Sequence, residues 1–144
     1  MVDVSGVPFV FKRLDHLVLR TENIEKLREF YLSLGCNVVR DLTKTLGLLQ
    51  LRLGVSMLDL VDVHGQLGLS GGAAPASSGR NLDHFAVRVE PFDGEQILEF
   101  CSSKGVTAKL SPELVLGAEG YGQAVYIEDP DGNRIELKGP SEDL

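Results

Sequence analysis

Two histidines lie at equivalent places in two copies of one short sequence, and histidine is a common ligand of divalent metals. His16 lies in the stretch Leu-Asp-His-Leu-Val-Leu-Arg at 14–20, and His84 lies in Leu-Asp-His-Phe-Ala-Val-Arg at 82–88. The repetition continues, because Glu-Phe, Ser and Gly follow each histidine at nearly the same spacing. A repeat of this length organises the whole chain. The sequence therefore predicts a duplicated module with one histidine near the start of each copy.

Each copy also carries a carboxylate near its end. Asp59 lies in a Leu-Asp-Leu run and Glu136 in an Ile-Glu-Leu run. Neutral imidazole nitrogen and carboxylate oxygen are ligands that borderline and hard divalent cations prefer. Two imidazoles and two carboxylates at equivalent places can converge on one metal site at a pseudo-twofold axis. A one-residue shift in strand register would turn Asp59 away from that site and Asp62 toward it.

Three further side chains are candidates for binding a substrate. Arg20 and Arg88 each follow a histidine by four residues, so alternation along a strand places them on the histidine's face. They are either solvated strand ends or bidentate ligands of a carboxylate or phosphate. Tyr126 is either a packing aromatic or a substrate contact. The residues alone leave both choices open.

The secondary structure that positions these residues can be predicted from the spacing of apolar residues, which changes along each copy. Alternating apolar residues predict a strand at 14–20, and helical spacing then predicts a helix at 22–34 that ends before Gly35. Three more strands follow, so the unit is β-α-β-β-β, and the second copy repeats it. We therefore predict an α+β fold in one domain over residues 1–144. The domain consists of module one at about 13–64, a glycine-rich flexible linker at 65–80, and module two at about 81–138, which includes an irregular loop at 117–122.

Composition narrows the classes of partner. The formal net charge of -7 disfavours nucleic acid and anionic membranes, which need a concentrated basic face. No apolar run approaches the length of a membrane span, and the N-terminus lacks the pattern of a signal peptide. Cys36 and Cys101 have no spacing typical of a disulfide framework or a zinc clip, which predicts reduced thiols in a cytoplasmic protein.

The chain resembles the vicinal oxygen chelate superfamily, which is the glyoxalase/bleomycin-resistance/dioxygenase fold. The matching parts are the opening at 14–19, the helix end Phe-Tyr-Leu-Ser-Leu-Gly at 30–35, and the stretch from Tyr126 to Glu136. The resemblance covers about residues 13 to 138. It implies a half-open β-barrel cup with flanking helices, and a divalent metal (Zn, Ni, Co, Mn or Fe). By position in the chain, the resemblance implies four metal ligands, which are His16, Asp59, His84 and Glu136.

The glyoxalase I branch of the family implies a lactoylglutathione lyase-like reaction. Its substrate is a hemithioacetal of a 2-oxoaldehyde and glutathione, and the metal stabilises an enediolate. Glu136 would take the proton from carbon and bind the metal. Two positions depart from that branch, because Asp59 replaces a glutamate and Val63 replaces an asparagine that helps to hold glutathione.

Other branches imply other functions. An extradiol-type dioxygenase needs only His16, His84 and Glu136, but it also wants a further histidine near 116–118, where the chain has Leu-Gly-Ala. An epimerase or a thiol transferase would keep the metal. A non-catalytic bleomycin-resistance-type protein would bind a cationic drug, which the acidic charge suits. In this family the modules often pair across chains, so we expect a homodimer.

Overall fold

A computed structural model of the chain describes residues 6–142. The predicted domain also includes residues 1–5 and 143–144, which lie outside the described residues. The order of elements in the first half is β-α-β-β-β, and the second half repeats it with an added hairpin. The first half contains β1 (His16–Thr21), α1 (Ile24–Ser33), β2 (Asn37–Leu42), β3 (Leu48–Leu53) and β4 (Ser56–Asp62). The second half contains β5 (Phe85–Arg88), α2 (Gly94–Ser103), β6 (Ala108–Leu110), β7 (Val115–Gly117), β8 (Gly120–Gly122), β9 (Ala124–Glu128) and β10 (Arg134–Lys138).

Both helices begin and end where the sequence indicates. The side chain of Asn23 accepts a hydrogen bond from the amide of Lys26 at the start of α1, and Asp93 does the same for Gln96 at the start of α2. These side chains satisfy amides that have no partner inside the helix. Gly35 follows α1 with a φ of 102°, a left-handed conformation that favours glycine. The predicted helix at 22–34 is therefore confirmed to within two residues at each end, and the second module contains the expected second helix.

The two modules form separate four-stranded sheets of the same topology. The orders are β1-β4-β3-β2 and β5-β10-β9-β6, and in each sheet the first strand pairs in parallel with the last. One face of each sheet packs against the helices, and the core combines side chains from both modules. The other face is open, and the two open faces carry the candidate ligands. The α+β fold with a half-open, glyoxalase-like cup is confirmed.

One buried hydrogen bond joins the modules. The Tyr31 hydroxyl, on α1, donates to Oδ2 of Asp129, in the β9–β10 turn, at 2.7 Å. Oδ1 of Asp129 accepts from the amides of Asp131 and Asn133, which fixes the turn. Burial of the phenol raises the pKa of Tyr31, and the negative charge of Asp129 raises it further. This hydrogen bond ties the first module to the turn that precedes β10.

Removing that hydroxyl is expected to destabilise the fold. A Tyr31→Phe variant should lose about 1–3 kcal/mol of unfolding free energy, because the donor to a buried charged acceptor is lost. Urea-induced unfolding measures the change. Ser70→Ala removes an exposed hydroxyl and should stay within about 0.5 kcal/mol of the native protein. A Tyr31→Phe protein as stable as this control would contradict the assignment.

Two glycine-rich segments are more regular than predicted. The linker contains a short 3-10 helix at Gly68–Gly71. The irregular loop predicted at 117–122 is wrong, because Gly117 and Gly120 pair across a turn in the hairpin β7–β8. Gly120 adopts a φ of 120°, so glycine shapes the hairpin here instead of abolishing it. Cys36 and Cys101 are both buried free thiols. Within residues 6–142, neither helix is long and apolar enough to cross a bilayer.

Candidate metal centre

The first half-site lies on the open face of the first sheet. His16 stands at the start of β1, and its partner strand β4 places Met57, Asp59 and Val61 on the same face. Nδ1 of His16 lies 2.7 Å from Oδ2 of Asp15, and the imidazole is about half exposed (48%). The hydrogen bond to Asp15 raises the pKa of His16, and the charge of Asp59 adds to the effect. When Nδ1 carries the proton, Nε2 presents its lone pair, which is the arrangement of a histidine metal ligand.

Asp59 supplies a carboxylate oxygen that has no partner. The residue is 6% exposed, and Gln50 on β3 donates from Nε2 to its Oδ2 at 3.1 Å. Its Oδ1 is buried with no hydrogen-bond partner among the described residues. A buried polar atom without a partner costs free energy, so such an atom calls for an explanation such as an ion. Oδ1 of Asp59 is a carboxylate oxygen without a hydrogen-bond partner, and both properties fit a ligand of a divalent cation.

The second half-site repeats the arrangement with a longer carboxylate. Nδ1 of His84 lies 2.6 Å from Oδ2 of Asp83, and Nε2 lies 3.3 Å from Oε1 of Glu136. The Glu136 side chain is 6% exposed. Tyr126 on β9 lies directly opposite Glu136 across the sheet, so the two side chains share the open face. Burial raises the pKa of Tyr126, and the negative charge of Glu136 raises it further.

The two half-sites remain apart within one chain. Across residues 6–142, no three His, Cys, Asp or Glu side chains come together in a group that could hold a metal ion. Each half offers one imidazole nitrogen and one buried carboxylate. The predicted ligands are therefore brought together in pairs, His16 with Asp59 and His84 with Glu136. One chain alone does not assemble all four.

Comparison with known proteins identifies the family. The model of the Glyoxalase/Bleomycin resistance protein/Dioxygenase superfamily matches residues 13–137. The chain belongs to this superfamily. The predicted resemblance is thus confirmed over most of the chain, while the branch and its reaction are a separate question.

Solved structures of the superfamily fold resemble the chain along almost its whole length. An integron cassette protein from the mobile metagenome of V. cholerae is 25% identical, with a TM-score of 0.72 over 94% of this chain and 100% of that one. A virulence protein from Salmonella typhimurium is 23% identical, with a TM-score of 0.71 over 92% and 99%. A lactoylglutathione lyase from Agrobacterium tumefaciens is 20% identical, with a TM-score of 0.59 over 88% and 92%.

In this superfamily member, the two candidate substrate arginines have different surroundings. Arg20 donates to the carbonyl oxygens of Gly68, Gly72 and Ala73, so its guanidinium holds the linker against β1. Arg88 pairs through Nε with Oε1 of Glu119 at 2.9 Å, at the turn of the β7–β8 hairpin. The linker carbonyls take three of the five N–H donors of Arg20, which also lines a pocket beside the linker, whereas Arg88 lines the pocket beside the second half-site. Their roles toward a substrate stay predictions.

Sequence reasoning missed the side chains that hold the candidate ligands. Asp15 and Asp83 orient the two imidazoles, and their signal was present, because each precedes a histidine in the repeated Asp-His pair. Gln50 orients Asp59, and Arg40 in turn donates to Oε1 of Gln50 at 2.8 Å. That chain of contacts depends on the register of three strands. No spacing in the sequence indicates it.

Proposed function

We propose that the chain is a divalent-metal-dependent enzyme of the glyoxalase family, with a lactoylglutathione lyase-like reaction. The observation that carries the proposal is the duplicated pair of oriented ligands. In each module, an aspartate holds Nδ1 of the histidine, and a buried carboxylate lies on the same open face. Carboxylate-bound histidines of this kind are typical of metal sites. The superfamily also includes a lactoylglutathione lyase of the same fold.

Each ligand then has a role in the proposed reaction. His16, Asp59, His84 and Glu136 would hold a Zn, Ni, Co, Mn or Fe ion. When bound, such an ion polarises a substrate carbonyl and thereby acidifies the adjacent carbon. Glu136 removes the proton from that carbon and returns it to the neighbouring one, as a general base and then a general acid. Tyr126, which lies opposite Glu136 on the neighbouring strand, would contact the substrate.

The proposal includes a homodimer that completes the site. Each chain keeps its two half-sites apart, so a second chain must bring a first-module half to a second-module half. Exposed apolar side chains support this, among them Val18 beside His16 and Phe9, Val10, Phe11 and Leu14 before β1. A second chain would cover such side chains.

Metal analysis tests the proposal directly. The reconstituted native protein should bind a divalent ion, and His84→Ala should weaken that binding by at least about 100-fold, because the loss of a direct ligand exceeds the loss of a supporting residue. His64→Ala is the matched control, since His64 is exposed beside the linker. A native protein that binds no divalent ion after reconstitution would exclude every metal-dependent reading and leave the non-catalytic drug-binding role.

Turnover assays separate the branches of the superfamily. The metal-loaded protein should isomerise the hemithioacetal of methylglyoxal and glutathione. Activity on a catechol that requires Fe(II) and oxygen would instead assign an extradiol-type dioxygenase. An epimerase or a thiol transferase would be inactive in both assays while still binding the metal through His84.

A further inference from the structure

A pocket beside the second half-site contains a buried cation that the proposed reaction does not use. The pocket has a volume of about 280 Å³. His84 and Glu136 line one side of it, and the β7–β8 hairpin covers it. Lys138 lines the same pocket and follows Glu136 by two residues on β10, so both side chains project from one face. The ammonium group and the candidate base therefore face a common space.

Lys138 is buried without a counter-ion. It is 7% exposed, and its Nζ donates to the carbonyl oxygens of Gly120 at 3.3 Å and Gly139 at 3.2 Å. No carboxylate among the described residues lies within ion-pair distance of Nζ. An ammonium has three donors, so two carbonyls leave one unused. Burying a charge is costly unless it is paired, and an anionic ligand in the pocket would supply the missing pair.

The hairpin is shaped to close over this lysine. A Cβ atom at Gly117 would lie 3.2 Å from Cε of Lys138, and one at Gly122 would lie 2.8 Å from Nζ. A side chain at either position would therefore crowd the end of the lysine, and at Gly122 it would also meet the backbone carbonyl of Pro140, so the two glycines leave room for the ammonium under the hairpin. The equivalent position in the first module, two residues after Asp59, is Val61. The cation is thus a feature of the second half-site and does not follow from the duplication.

A second cation stands at the rim of the pocket. The guanidinium of Arg88 lies on the same face as His84. Its Nε donates to Glu119 at the hairpin turn, its Nη2 pairs with Oε1 of Glu90 at 3.4 Å, and its Nη1 donates to the carbonyl oxygen of Val89. Both carboxylates are exposed, with side-chain exposures of 58% and 82%. Exposed ion pairs contribute little, so a ligand anion can replace Glu119 and Glu90 at small cost. Arg88 would then provide a bidentate donor pair for the same anion that Lys138 binds.

We propose that Lys138 and Arg88 form an anion-binding subsite that receives a carboxylate or phosphate group of the substrate beside Glu136. This inference rests on the proposed function, because it takes Glu136 to be the base that removes a proton from the substrate. Neighbouring same-face residues on a strand are about 7 Å apart. The subsite therefore takes an anionic group that comes within reach of Lys138 when the reacting carbon of the substrate lies beside Glu136, whichever branch of the superfamily the reaction belongs to.

Anion titration of the metal-free protein tests the subsite apart from the metal. Glycolate and inorganic phosphate are the two probes, and amide chemical shifts of residues 117–122 and of Gly139 report binding. We expect saturable changes in these amide shifts with at least one probe. The probe that binds more tightly identifies the anion as a carboxylate or a phosphate. Lys138→Met should weaken its binding about tenfold or more, because a charge-assisted hydrogen bond is lost. Lys138→Arg should keep the affinity within a few-fold.

Two further variants complete the test. Lys44→Met removes an equal charge from an exposed turn and should leave the affinity unchanged. Glu119→Gln removes one of the two carboxylates that pair with Arg88, at an exposed position, so it should tighten anion binding by a few-fold and does not depend on a buried substitution. Equal affinities in the native, Lys138→Met and Glu119→Gln proteins would overturn the subsite, and so would a lack of saturable shifts with both anions. Because no metal is present, these results are independent of the metal-binding assay.

Discussion

A Glu136→Gln protein is expected to lose roughly 10²- to 10⁴-fold in kcat, the usual contribution of a general base. Glutamine has nearly the same shape as glutamate, so it should retain its place between His84 and Tyr126 on the open face. Its amide nitrogen cannot accept a proton from carbon, and its oxygen is a much weaker base. The chemical step should therefore fail while the fold is maintained.

Steady-state kinetics with the methylglyoxal–glutathione hemithioacetal measure this effect, with metal content determined on the same samples. Glu128→Gln is the matched control, because Glu128 ends the neighbouring strand β9 with an exposed side chain. It should keep kcat within about twofold of the native value, as surface substitutions away from a site generally have small effects. A Glu136→Gln protein that retains both metal and native kcat would refute the role of Glu136 as the base.

The repeated elements could be predicted from the sequence because their signals are local. Periodicity located the first helix to within two residues and the repeat indicated the second, whereas the cap at Asn23 lay inside the predicted helix at 22–34. The alternation of β4 was ambiguous between Asp59 and Asp62, and strand pairing resolves it. Val18 pairs with Asp59, so Asp59 shares the open face with His16. The repeat alone was therefore enough to nominate Asp59, but the strand pairing was needed to show that its side chain lies on the open face.

Long-range contacts could not be predicted in the same way. Arg20 binds carbonyls 48 to 53 residues away, in a linker whose composition predicted flexibility. Lys138 becomes a buried cation only because a glycine-rich hairpin folds over it. Backbone carbonyls carry no sequence signature, so their use as hydrogen-bond acceptors for these cations follows only from the tertiary fold. For the same reason, the separation of the two half-sites was not visible in the repeat that first revealed them.

The separation of the two half-sites within one chain leads to a prediction that mixed dimers can test. If each metal site joins the first module of one chain to the second module of its partner, a mixed dimer of one His16→Ala chain and one His84→Ala chain contains one intact site. Its partner site carries both substitutions. The mixed dimer should therefore have about half the metal content and activity of the native dimer, whereas each parent homodimer should have almost none. Two different affinity tags allow the mixed dimer to be isolated before the measurement.

A second mixed dimer reverses the expectation and serves as the control. It combines a native chain with a chain that carries both His16→Ala and His84→Ala. Pairing across chains places one substitution in each site, so this dimer should be inactive, whereas sites within one chain would leave it about half active. Activity in the second mixed dimer but not in the first would show that each chain builds its own site, as would a failure of the chains to form any dimer while the monomer stays active. The two half-sites of one chain would then have to close on each other, in a rearrangement of the modules about the Tyr31–Asp129 contact that now joins them.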